Sequence, residues 1–156
     1  MITIHFDSKA LAQELKTTEK EVRGMIERGL GYAGREAINA QREIYFPASY
    51  RDQSGNLRSS TNFVVASEGE VKESGRFTPV YGAKPKKNSL SPADAVEEGW
   101  GKAVDEVQNC PPYPTLILVA GMNYASYVSD KGFDVLSTAR IVAEESVREW
   151  LEDLRR

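Results

Sequence analysis

The side chains best suited to chemistry are scarce in this chain, and their spacing keeps them apart. It has one histidine, His5, and one cysteine, Cys110, in 156 residues. Ser-His-Asp and Cys-His catalysis both need an imidazole to accept a proton from the nucleophile, and zinc clusters need several Cys or His ligands. Neither is expected here. A single thiol also excludes an intramolecular disulfide and fits a reducing compartment. Cys110 precedes Pro111 with no basic or histidine partner in view, so it reads as a small buried hydrophobe rather than an activated nucleophile.

Carboxylates are plentiful but badly placed for catalysis. Glu97 and Glu98, like Glu144 and Glu145, are adjacent along helical patterns, where neighbours diverge by about 100° and form solvated faces. Asp130 and Asp134 could approach one cation, yet a Gly132 turn and a helix cap explain the same residues, so no metal is expected. Gly29 to Gly34 spells GLGYAG, the glycine spacing of a dinucleotide fingerprint. That fingerprint requires a strand before it and a helix after it, whereas this copy lies inside a helical pattern whose amides are already engaged. There is no Walker loop or GxSxG elbow either, so no cofactor is expected.

Lys84, Lys86 and Lys87 form the densest positive cluster, interrupted by Pro85. They read as a solvated loop, since neither an aromatic platform nor a groove-reading helix accompanies them in the sequence. The chain as a whole carries 20 basic and 23 acidic side chains, a net charge of -3, which gives no global pull toward nucleic acid or anionic membrane. The longest apolar run, Leu116 to Ala120, is strand-sized and far short of the roughly 20 residues a membrane helix needs. The first residues include Asp7 and lack a signal-peptide apolar region, so the expectation is an unprocessed chain made in the cytoplasm.

The elements that hold these residues follow from periodicity and punctuation. A short helix is expected from Ser8 to Lys16, then a long one opening at a Thr18/Glu21 capping box and ending near Tyr45, before Pro47. Val22, Ile26, Gly29, Ala33, Ala37, Ala40 and Ile44 make its stripe, and so many small residues imply close packing on a sheet, a helix-to-helix subunit contact or a bend. Tyr50 to Asn56 reads as a loop, Leu57 to Ala66 as a strand with one wetter face, and Glu68 to Glu70 as a turn. Val71 to Lys72 and Thr78 to Tyr81 read as returning strand pieces, and Gly82 to Ser89 as a connection. Ser91, Pro92 and Asp94 start a helix that stops near Asn109; Thr115 to Ala120 reads as a well-buried strand; Asp134 caps a last helix lined by Val135, Ala139, Val142, Val147, Trp150 and Leu154. This order predicts a single α+β domain over residues 1–156: a small, mostly antiparallel sheet against long N-terminal and C-terminal helices, with an inserted helix in the region 71–114.

Two stretches together resemble a known family. Tyr50 to Ser60 contains SGNLRSS, similar to a TGxLRxS segment, and Leu118 to Val128 leads into YASYVSDKG, similar to YAxYVExG. In this pairing and order the chain resembles the minor tail, or tail-completion, proteins of lambda-like long-tailed bacteriophages and prophages. The resemblance implies a non-enzymatic structural subunit that forms a ring where head and tail join. Its partners would be copies of itself and neighbouring tail or connector proteins, in the host bacterial cytoplasm during assembly and then in the virion. Arg58, pointing outward from the turn, and Tyr124 and Tyr127, which combine apolar area with a polar tip, are residues compatible with such contacts; Lys84, Lys86 and Lys87 are the interaction candidates of a nucleic-acid-binding alternative. The competing readings are a head-closure or connector component, a small nucleic-acid-binding accessory protein, and an unfamiliar enzyme built on Asp and Glu.

Overall fold

A computed structural model of the chain describes residues 8–44, 49–84 and 90–155. Its elements run α1 (Ser8–Glu43), α2 (Asn56–Ser59), β1 (Thr61–Ser67), β2 (Glu70–Ser74), α3 (Pro92–Gln108), β3 (Thr115–Ala120), α4 (Ala125–Asp130) and α5 (Ser137–Asp153). The chain is α+β, with one antiparallel sheet in the order β2-β1-β3.

The central strand is covered on both faces, and this organises the rest. Phe63 and Val65 point to α1, where they meet Leu30 and Ile38, while Val64 and Ala66 point to Ala103 and Val107 of α3. Every residue of β1 is therefore buried, in place of the half-wet strand that alternation suggested. Residues from the 71–114 region thus contribute to the core itself: β2 pairs with β1, and α3 roofs one face of the sheet. β3 occupies a sheet edge, so its six apolar-rich residues are only half-buried, where a well-buried strand was expected.

α1 is one unbroken helix, not two. The expected boundary at Thr18 does not interrupt it, and the neighbouring Thr17 hydroxyl donates back to the Gln13 carbonyl at 3.1 Å. With no proline or glycine between Ser8 and Arg23, extending one helix avoids the cost of nucleating a second. The helix ends at Glu43; Tyr45 and Pro47 lie outside the described residues, as does His5.

The small residues of α1 bring it close to its neighbours. Gly34 admits the Phe63 ring, Gly29 admits the Trp150 indole, and Ala37 sits with Ala139 and Ala143, so α1 and α5 run antiparallel in contact with each other and with the sheet. GLGYAG is thus a packing feature inside a helix. Arg23 ties the same helix to the β1–β2 hairpin, its Nη1 donating to Ser67 Oγ at 3.1 Å and to the Pro112 carbonyl at 2.9 Å. The hairpin tip itself is Glu68-Gly69, both with positive φ (57° and 74°), the backbone of a two-residue primed turn.

The remaining boundaries follow capping chemistry. α3 opens on the expected capping box, with Ser91 Oγ accepting from Asp94 N at 3.1 Å and Asp94 Oδ2 accepting from Ser91 N at 3.1 Å. The N-cap position of α5 is Leu136 and not Asp134 as expected; Asp134, two residues earlier, still serves the first turn, its carboxylate accepting from Thr138 N at 3.2 Å and from the Thr138 hydroxyl. The Asn123 to Ser129 stretch, read as a lead-in, contains the short helix α4.

Candidate functional site

The stretch from Tyr50 to Ser60 is built as a knot of backbone hydrogen bonds. Asp52 accepts from Gly55 N through Oδ1 at 2.9 Å and from Arg58 N through Oδ2 at 2.8 Å. Gly55 stands at φ 86°, and a side chain there would collide with the Val80 carbonyl. Leu57 begins no strand, because the chain makes one helical turn from Asn56 to Ser59; the hydroxyls of Ser60 and Thr61 then donate to the Leu57 carbonyl at 3.0 and 2.7 Å and hold the turn closed. The alternation that mimicked a strand came from this turn.

The same knot captures the segment after Pro79. Ser59 Oγ donates to the Gly55 carbonyl at 2.7 Å and accepts from Val80 N at 2.8 Å; Gly82 N and Lys84 N donate to the carbonyls of Ser54 and Gln53 at 3.1 and 2.9 Å. Thr78 to Tyr81 is therefore not a strand of the sheet but a strap laid along the loop. Asn56 Nδ2 adds a bond of 2.7 Å to the Leu90 carbonyl, tying the approach to α3 to the same place.

The second stretch arrives alongside. Gly121 N donates to the Ser60 carbonyl at 3.0 Å, and Gly121 also lies against Gly99 of α3, an approach only glycines permit. Met122 then enters a small core with Tyr50, Leu57, Ala95 and Val135. Tyr124 and Tyr127 follow, 40% and 62% exposed. Tyr50, Asp52, Ser54, Met122, Tyr124 and Tyr127 are among the walls of a hollow of about 600 Å³. The two stretches that carry the family resemblance thus form one surface.

Its electrostatics are mixed. Burial, together with the nearby Asp52 charge, raises the Tyr124 phenol, while Ser54 opposes the shift with a hydrogen bond. Tyr50 is 6% exposed, and burial pushes its phenol up to about 12. The Gln41 amide neighbours that hydroxyl, yet neither group reaches hydrogen-bond geometry with a partner among the described residues. Arg42 is lowered by burial and by the like charge of Arg58.

The expected contact residues separate into two kinds. Tyr124, Tyr127 and Lys84 do reach the hollow, whereas Arg58 turns back, with Nη2 donating to the Ile44 carbonyl at 3.2 Å and its guanidinium 5.9 Å from the Tyr50 ring centre. It clamps the loop to the end of α1 instead of pointing outward. Lys86 and Lys87 lie outside the described residues. Lys131 covers the Tyr127 ring at 5.2 Å. Tyr81, 78% exposed beside Lys84 and Arg51, is a contact candidate that the sequence reading passed over, hidden because the strap that carries it looked like a strand.

The groups weighed for catalysis stay dispersed. Among the described residues, no three His, Cys, Asp or Glu side chains gather as a metal site would require. Burial and the neighbouring Glu106 raise the Cys110 thiol, the direction opposite to activation. Among the described residues no helix is long and apolar enough to cross a membrane. Compared with protein-family models, with curated proteins and with solved structures, the chain has no match in any of the three.

Proposed function

We propose that the protein is a non-enzymatic subunit of phage or prophage tail assembly, acting at tail completion or head-tail joining as one member of a ring. One observation carries this reading: the SGNLRSS and YASYVSDKG stretches, remote in sequence, meet at one hollow rimmed by Tyr124 and Tyr127. The first stretch spends its polar groups on fixing the backbone, and the second supplies aromatic side chains with exposed area. A rigid loop presenting tyrosines is suited to protein contact, because little conformational freedom is lost on binding.

The reading is tested on particles. After induction of a host carrying the gene, gradient-purified virions should contain the chain in a small, fixed copy number. Its absence from joined virions and from isolated tails and heads would remove the proposal. Recovery with filled heads alone would move the protein to the head-closure or connector position.

A further inference from the structure

α1 is longer than the body it packs on. From Lys9 to Val22 every described side chain is exposed, yet the core stripe continues through this arm: Leu15, Val22, Ile26, Gly29 and Ala33 follow in steps of seven, four, three and four. In the body the stripe is buried at Gly29, Ala33 and Ala37; in the arm Leu15 and Val22 are 62% and 45% exposed. The β1–β2 hairpin meets α1 at Arg23, through Ser67 and Glu68, and Lys16 and Lys20 share a hollow with Glu68 and Lys72 on that flank, away from the stripe. A helix whose apolar stripe is exposed gains nothing from that stripe.

A second apolar feature lies elsewhere on the chain. Two hollows of about 530 and 640 Å³ share Leu116, Leu118 and Arg140, so they join into one furrow between the open edge of β3 and α5, extended by Ala143, Val147 and Leu151. An apolar edge strand without an inward charge or an interior proline is a surface that proteins ordinarily cover.

We infer that the α1 arm of one copy docks in the β3–α5 furrow of the next. The inference deepens the ring reading above and rests on it for a contact that repeats around a circle. The arm cannot serve its own furrow: Leu30 of the same unbroken helix lines that furrow, and Leu15 stands about 22 Å farther along the axis. Charge points to a second copy as the occupant. Glu14 and Glu21 are exposed on one flank of the arm stripe, about 10.5 Å apart; on the furrow rim Arg140 is already paired with Glu144 at 3.9 Å, and Arg148, about 12 Å farther along α5, is the exposed cation facing the groove. Arm and furrow are different patches, so the contact is heterologous and generates a ring or a filament unless two copies exchange arms reciprocally.

Cross-linking and sedimentation of the full-length protein test the contact. In a Cys110→Ser background, Val22→Cys combined with Val147→Cys should give disulfide-linked multimers, while Val22→Cys alone stays monomeric. Leu15→Asp with Val22→Asp should weaken self-association at least about tenfold while the monomer keeps its far-UV circular dichroism, because both side chains are substantially exposed, 62% and 45%. Arg148→Glu should weaken it as well, and adding Glu21→Arg should restore it. Dimers from Val22→Cys alone would show arm-to-arm pairing and overturn the inference. So would unchanged association of the double Asp variant, or a wild-type protein that stays monomeric at about 100 µM and yields no cross-link. None of these results touches the ring reading, which stands or falls on the contents of purified particles.

Discussion

Gly29 of α1 and Trp150 of α5 meet so closely that a Cβ at position 29 would lie 2.6 Å from the indole Cε2. This contact explains a glycine inside a long helix: Gly29, like Gly34 against Phe63, leaves out a side chain where a ring comes up to the backbone. Helix propensity alone would favour alanine by about 1 kcal/mol, and the structure reverses that preference.

Gly29→Ala should therefore destabilise the fold by about 1–2 kcal/mol, overpacking outweighing the propensity gain. Urea unfolding followed by Trp fluorescence measures it. A more stable variant would mean that α1 and α5 are not packed through this glycine.

Gly55 and Gly101 make a matched pair. Gly55 is left-handed and would drive a side chain into the Val80 carbonyl, whereas Gly101 lies in α3 with nothing within 4 Å of an added Cβ. Gly55→Ala should cost about 2–4 kcal/mol, and Gly101→Ala should stabilise by about 0.5–1 kcal/mol. Thermal melts of the two variants should shift in opposite directions.

Tyr50 gives a pH signature. Its folded pKa of about 12 lies above the usual value of 10, so the folded state keeps the phenolic proton that the unfolded chain loses first. The stability it contributes is fully present below pH 10 and is lost as the pH rises from 10 to about 12. Absorbance titration should show one late-ionising tyrosine, and Tyr50→Phe should remove it and flatten the alkaline fall in stability. Since the buried hydroxyl finds no partner among the described residues, the same variant should lose little or no stability at pH 7.

Tyr124→Ala with Tyr127→Ala separates assembly from folding. Both side chains are substantially exposed, so stability should change by no more than about 0.5 kcal/mol each. Incorporation into particles, read by immunoblot of gradient fractions, should fall at least about tenfold. Undiminished incorporation would take the tyrosines out of the contact surface.

Much of the architecture is legible in the sequence, for reasons that particular residues make plain. Ser91-Pro92 with Asp94 fixes the start of α3 because capping is local chemistry, and the triple proline before Thr115 isolates β3. Several differences were decided by contacts that no local pattern encodes, others by local bonding that alternation hides. Leu57 to Ser60 alternates like a strand, but the positive φ of Gly55 and the Asp52 carboxylate, which accepts from Gly55 N and Arg58 N, wind it into a turn, and the strap at Val80 lies against it. Arg58 was read outward because nothing local says that the end of α1 will lie within its reach. The burial of β1 on both faces and the half-exposure of β3 depend on strand order, which no single strand's pattern encodes. The hollow at Tyr124 joins segments far apart in the chain, and nothing local in either segment says that they will meet.

Electron microscopy of a prophage lysate from a strain deleted for this gene tests the central claim most directly. The account predicts filled heads and tails lying unjoined or with aberrant ends, and recovery of normal particles when the wild-type gene is supplied in trans. Intact, infectious, joined virions from the deletion strain would contradict it.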